Sequence, residues 1–235
     1  MRSTCARSGS SRAAWVCGAA LALLAGSDAG PPSQASADPS DAAADADAVL
    51  ARVQLRYDSI RDIRARFVQI SLVASLGREE TARGEVVVRR PGRMRWQYDD
   101  PEPSVLVVDG DVVRMYDPVE KRLQVMPVDA AALSPTALGF LLGNRSLLES
   151  FRAELLEAAR DEVGVRLIPR QESGFESLEL WVDPHSYQLR ESVLRDLFAN
   201  RTRVVFEEIR ENAGVPDDAF RVEVPEDAEI IDLRR

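Results

Sequence analysis

Apolar and polar positions alternate along most of this chain, and the alternation is clearest over residues 89–101. Met94, Trp96 and Tyr98 fall on one face of that run, Arg93, Arg95 and Gln97 on the other, because successive side chains of a strand point to opposite sides. The segment therefore belongs in a sheet with one wet face and one large apolar face. Similar alternating or β-rich runs occupy residues 65–73, 84–89, 93–98, 104–108, 112–116 and 122–126. They are separated by Gly77, Pro91-Gly92, Asp100-Pro101, Asp109-Gly110 and Asp117-Pro118, each a turn signal that supplies backbone freedom or a fixed φ. Further runs follow at 151–157, 163–169, 178–183, 189–195, 202–210 and 220–224.

Two stretches break the period of two. Val49, Leu50, Val53, Tyr57 and Ile60 recur at helical spacing behind Asp45 and Asp47, whose carboxylates suit a helix N-terminus near either residue. Residues 133–148 carry Ser134-Pro135 at one end and Gly143-Asn144 near the other, start and stop signals for a short apolar helix. The pattern predicts an α+β fold: one strongly curved antiparallel sheet of about eleven strands, with the helices on one face.

The first residues do not fit this plan. Arg2, Arg7 and Arg12 precede a short apolar run at 13–25, the arrangement of a secretory signal and too short for a permanent bilayer span. Cleavage is expected after Ser27, with Ala37 as the alternative end. Residues 28–45 then form an acidic leader, poor in large apolar side chains and expected to be flexible, and residues 46–235 a single domain. Both cysteines, Cys5 and Cys17, lie within the signal, so the exported chain has no thiol nucleophile, disulfide or cysteine metal ligand.

Charge and residue inventory narrow the function. The whole chain carries 30 Lys and Arg against 39 Asp and Glu, a net −9, and removing residues 1–37 with their three arginines and one aspartate leaves 27 against 38, or −11. A nucleic-acid partner is not expected at that balance. His185, the only histidine, sits in a turn-like Asp-Pro-His-Ser, so Ser-His and Cys-His schemes lack their parts and zinc and haem sites lack ligands. Asp99, Asp100, Asp109, Asp111, Asp117 and Asp183 lie mostly beside Pro or Gly, where aspartate serves turns rather than catalysis. No catalytic residue, metal or cofactor is expected; the sequence is that of a binder.

Phe67-Val68-Gln69, the pair of runs from Gly84 to Tyr98 with Arg90-Pro91-Gly92-Arg93-Met94-Arg95-Trp96, Val107-Val108-Asp109-Gly110 and Tyr116-Asp117-Pro118 together resemble the outer-membrane lipoprotein carrier proteins, the LolA family. Leu180-x-Val182-Asp183-Pro184, Phe220-x-Val222-x-Val224-Pro225 and Ile231-Asp232 extend the resemblance over about residues 46 to 233. It implies a half-open β-barrel closed by helices over an apolar cavity. It also implies a periplasmic carrier that takes the acyl chains of lipoproteins from an inner-membrane ABC transporter to an outer-membrane lipoprotein acceptor. A stationary lipid- or lipoprotein-binding sensor of the same fold is the alternative, and a monomer is expected.

The same resemblance assigns roles to residues. Arg90 matches a lid latch, and Leu138, Phe140, Leu141 and Leu142 match the lid helix. The acyl-chain cavity would be lined by Phe67, Val86, Val88, Met94, Trp96, Tyr98, Leu106, Val108, Met115, Leu178 and Leu180. Met94 stands where relatives often carry Phe, and Gly139 and Gly143 lie in the lid; the flexible thioether would widen the range of chains accepted.

Overall fold

The computed structural model describes residues 39–128, 146–157 and 161–234. The expected signal and the expected lid residues Leu138, Phe140, Leu141 and Leu142 lie outside them. The described residues open with α1 (Pro39–Asp58), which starts earlier than the expected Asp45 or Asp47 and so takes in part of the stretch read as leader. Its apolar stripe is as the spacing requires: Ala46, Leu50, Val53 and Tyr57 are buried, while Leu55 on the opposite side is exposed.

Twelve strands form one open sheet. Six come before residue 128: β1 (Asp62–Val73), β2 (Arg78–Arg89), β3 (Arg93–Asp100), β4 (Ser104–Asp109), β5 (Val112–Asp117) and β6 (Arg122–Pro127). A one-turn α2 (Leu147–Ser150) precedes β7 (Phe151–Leu156), β8 (Val163–Pro169), β9 (Phe175–Val182), β10 (Leu189–Asp196), β11 (Arg201–Glu211) and β12 (Glu229–Asp232). The spatial order is β12-β6-β5-β4-β3-β2-β1-β11-β10-β9-β8-β7. The two meanders are therefore joined through the β1–β11 pair, and the sheet curves without closing, with β12 and β7 as its edge strands among the described residues.

The C-terminal part departs from the expectation. Phe220 closes a 3₁₀ turn (Asp217–Phe220), and the residues after it, expected as a strand over 220–224, have no ladder partner in the sheet. Their alternation is real: Phe220 packs with Val87, Val107 and Val215, and Val222 and Val224 pack with Tyr116, Leu123 and Val125. These partners lie on the convex face of the sheet, whose strands already have lateral neighbours, so the segment stacks on them as a strap. It is anchored where it leaves β11, since buried Asp62 accepts the Gly214 N–H at 3.1 Å and its carbonyl accepts the Asn212 N–H at 2.8 Å. Having crossed the sheet, the chain adds β12 beside β6 in parallel, the one parallel pair in the sheet, as a crossover connection permits.

The same strap alters the reading of the Arg89–Pro101 region. Its polar face is not simply wet: Arg95 donates to the Arg221 carbonyl at 2.8 Å, Arg93 to Asp217 at 2.6 Å, and Arg89 to the Val215 carbonyl at 3.1 Å.

Candidate functional site on the concave face

The concave face is built from rows of side chains that the strand register aligns. Val88, Met94, Val108 and Val113 form one row across β2 to β5, all buried. The next row is Val86, Trp96, Leu106 and Met115, in which Val86 and Leu106 are buried, Trp96 is partly buried and Met115 is 41% exposed. The third row holds Gly84, Tyr98 and Ser104. Phe67 on β1 lies opposite Gly84 on one side and Phe206 on the other. A Cβ at residue 84 would come within 3.0 Å of the Phe67 ring and 1.8 Å of the Gln97 carbonyl oxygen, so only glycine lets the ring and the β3 backbone approach this closely.

Four rings meet here. Phe67 stands 4.5 Å from Trp96 and 5.3 Å, edge-on, from Tyr98, and Trp96 is 6.4 Å from Phe206, all within the range of favourable aromatic pairs. The Tyr98 hydroxyl donates to Gln69 at 3.0 Å and the Gln69 amide to Ser71 at 3.2 Å, a polar chain where the apolar face ends. Burial pushes the Tyr98 phenol up, opposed by the Gln69 and Trp96 side chains. The Trp96 indole nitrogen is itself buried without an acceptor in hydrogen-bond geometry.

Beneath Trp96 lies an apolar gap of about 30 Å³, bordered also by Tyr57, Val86, Val88, Leu189, Phe206 and Ile209. Of the residues read as cavity lining, Val86, Val88 and Trp96 border this gap. Phe67, Met94, Leu106 and Val108 are buried beside it in the same core, and Tyr98 is half-buried there. Leu178 and Leu180 are buried on β9, three strands from β1. Trp181 points the other way, over Gly164.

Phe206, Ile209, Leu189, Tyr57, Ile63 and Ala65 border the gap and were not among the expected lining. Val204 and Phe206 alternate onto the concave face, and a bulge near Glu208, whose φ is +50°, restores Ile209 to it. The broken alternation Val204, Phe206, Ile209 was the available signal.

Arg90 reaches the end of α1. Its Nη1 donates to the Tyr57 carbonyl at 2.7 Å and lies 3.6 Å from Asp58, a cation at a helix C-terminus, where the macrodipole favours it. Burial pushes the guanidinium down, opposed by Asp58 and Tyr57. The Tyr57 hydroxyl accepts the Leu189 N–H at 3.1 Å, and burial pushes this phenol up to about 12. Arg90, the last turn of α1 and the wall of the gap are thus mechanically connected.

The turn aspartates behave as local caps. Asp117 accepts the N–H groups of Val119 and Glu120, and Asp183 accepts those of His185 and Ser186, which with the Ser186 hydroxyl holds its carboxyl down at about 2. Among the described residues no group of three or more His, Cys, Asp or Glu side chains is placed to hold a metal ion.

Comparison with known proteins bears directly on this face. Residues 58–223 match the family described as outer membrane lipoprotein carrier protein LolA. The chain belongs to the LolA family. The matched span contains Arg90, the ring cluster and most of the strap. An outer-membrane lipoprotein carrier protein of Nitrosomonas europaea is 31% identical over 169 residues, 72% of this chain and 81% of that one. Another, from Pseudomonas entomophila, is 30% identical over 184 residues, 77% and 87% of the two chains. The fold is similar to the crystal structure of an uncharacterized conserved protein from Thermus thermophilus, with a TM-score of 0.51 at 16% identity, covering 80% of this chain and 99% of that one.

Proposed function

We propose that this LolA-family protein is a periplasmic, non-catalytic carrier that shelters the acyl chains of lipoproteins on its concave face. In this reading it receives them from an inner-membrane ABC transporter and passes them to an outer-membrane acceptor. The observation that carries the reading is the cluster of Phe67, Trp96, Tyr98 and Phe206 around an apolar gap in a chain whose curated relatives are named lipoprotein carriers.

Energetics shape the mechanism. Each methylene removed from water contributes about 0.8 kcal/mol, so a sixteen-carbon chain represents on the order of 12 kcal/mol. Cargo held that strongly does not escape through water; it must pass directly from one apolar site to another. The gap of about 30 Å³ has room for roughly one water-sized group, so loading has to open the concave face. Closure on itself in the empty state weakens net binding and so favours release.

Arg90 is the candidate latch. It holds the Tyr57 carbonyl, and Tyr57 borders the gap, so the end of α1 moves with the cavity wall. Each guanidinium bond to a buried carbonyl contributes about 1.5–3 kcal/mol. Arg90→Leu is therefore expected to retain acyl-chain binding and to slow delivery at least tenfold. The check is release of a lipoprotein from inner-membrane vesicles by the protein plus ATP, followed by transfer to acceptor-bearing vesicles. Transfer at the parental rate removes the latch, and failure of the parental protein to solubilise lipoprotein removes the carrier reading.

A further inference from the structure

Three large apolar side chains are exposed at one end of the molecule: Leu76 at 71%, Leu197 at 65% and Phe198 at 82%. Leu76 lies in the turn between β1 and β2, the other two in the turn between β10 and β11. The two turns are neighbours, because β1 pairs with β11 up to Leu72 and Arg201. The Ala74 N–H donates to the Asn200 side-chain oxygen at 3.0 Å, which ties them together. The second turn is fixed internally, since Asp196 accepts the N–H groups of Phe198 at 2.8 Å and Asn200 at 2.9 Å.

The chemistry of this end is unlike that of the rest of the chain. Residues 74–77 (Ala-Ser-Leu-Gly) and 197–200 (Leu-Phe-Ala-Asn) carry no charge in a sequence that is 29% charged. Immediately behind them the register sets Arg78 beside Val73, Arg201 beside Leu72 and Arg195 beside Arg201. Glu79 stands beside Leu72 as well, Arg78 lies 3.3 Å from Glu80 and Arg195 3.5 Å from Glu179, and the Asp196 carboxylate is engaged by its own turn. The two arginine side chains are 68% and 42% exposed, and pairs so open to water contribute little, which leaves their guanidinium groups able to exchange a carboxylate for a phosphate. An uncharged apolar tip backed by arginines matches the layering of a bilayer surface, with acyl boundary outside and phosphates behind. Pairing of β2 with β3 starts only at Arg83 and Asp100. The β1–β2 tip therefore projects beyond β3 by about five residues, roughly 16 Å at the usual rise per residue.

We propose that the two tied hairpin tips are a docking platform for a phospholipid bilayer with anionic headgroups, with Leu76, Leu197 and Phe198 entering the acyl boundary and the arginines meeting phosphates. The polar chain Ser71, Gln69 and Tyr98 lies toward the same end of β1 and β3, so docking would turn that end of the concave face to the membrane. The platform does not depend on the carrier reading, because it concerns a bare lipid surface.

The test uses the chain processed after Ser27, which contains the whole compact unit Ala37–Arg235 and no cysteine. Phe198→Cys then gives a unique site for an environment-sensitive fluorophore, and Leu55→Cys, on the exposed side of α1, is the control. Cargo-free vesicles of phosphatidylglycerol and phosphatidylethanolamine are expected to shift the label at 198 to the blue and raise its intensity several-fold, leaving that at 55 unchanged. In flotation, the combined variant Leu76→Ser, Leu197→Ser and Phe198→Ser is expected to lose at least tenfold in vesicle-bound fraction with its melting temperature preserved. Equal response at both labels, or unchanged flotation of the variant, overturns the platform. Protection of residue 198 by membrane protein but not by lipid overturns it in favour of a protein partner.

Discussion

The sheet is covered on opposite faces in its two halves. Toward β7 and β8 it is α1 that packs on the concave side, and the convex side carries ion pairs: Arg166 and Arg195 with Glu179, Arg203 with Glu191. From β2 to β6 the convex side lies under the strap, which packs on Val87, Val107, Tyr116, Leu123 and Val125 and accepts hydrogen bonds from Arg89, Arg93 and Arg95. One half therefore has an apolar face and a charged face, while the other has an apolar face and a mixed one, whose valines and arginines are both engaged by the strap. The half under the strap carries the Met94–Trp96–Tyr98 strand and Arg90, so the strap stiffens from behind the strands that would face a ligand.

The sharpest test pairs a large side chain from each face. Phe67→Ala removes a ring that is 1% exposed and touches Trp96 and Tyr98, and it should cost about 3–5 kcal/mol. Phe220→Ala removes a ring from the smaller strap cluster, where the neighbouring segment can collapse, and should cost about 2–3 kcal/mol. Urea unfolding measures both, and a fluorescent fatty acid measures binding. Phe67→Ala should weaken binding, whereas Phe220→Ala should leave the affinity of the folded fraction unchanged. Equal loss of affinity in the two variants would mean that the strap shapes the concave surface directly.

Much of this comparison can be read from the letters. Val86-Val87-Val88 and Val105-Leu106-Val107-Val108 are unbroken apolar runs, as expected of strands buried on both faces, whereas Leu178-Glu179-Leu180 alternates as a strand with one charged face does. The rows through Met94 and Trp96 followed from the period of two. The strap did not, because Phe220, Val222 and Val224 alternate as a strand would and their lack of ladder partners is a tertiary fact. Ile209 was hidden for a related reason: the bulge at Glu208 shifts the period. Arg90 was found by family likeness, yet its hold on the Tyr57 carbonyl depends on where α1 ends, which residue spacing leaves open by several positions.

The joint between α1 and the sheet is expected to matter next most. Tyr57→Phe strands the buried Leu189 N–H that the phenol now accepts, a cost of about 1–3 kcal/mol. The wild type has an alkaline signature that the variant lacks. The phenol ionises near 10 when unfolded and at about 12 when folded, so its ionisation adds no pH dependence to stability well below pH 10. Between pH 10 and 12 the unfolded state alone gives up the proton, and stability falls by roughly 2–3 kcal/mol. Denaturation at pH 9 and pH 11.5 should show a steeper decline for the wild type than for Tyr57→Phe. Parallel declines would place the Tyr57 ring in contact with water.

The smallest effect is expected on the charged convex face. Glu179 is 5% exposed, yet its partners Arg166 and Arg195 have side chains about 40% exposed, at 3.1 and 3.5 Å. Water can take over the guanidinium groups when the carboxylate is lost, so Glu179→Gln, which keeps the shape, should cost no more than about 1 kcal/mol. The difference from wild type should shrink between 0.05 and 1 M salt, roughly as the Debye length contracts from over 10 Å to about 3 Å. A salt-independent loss of several kcal/mol would put Glu179 on a par with Phe220. The two halves of the sheet would then be held from behind equally firmly, one by charge and one by the strap, and stiffness would no longer distinguish the strands that carry the ring cluster.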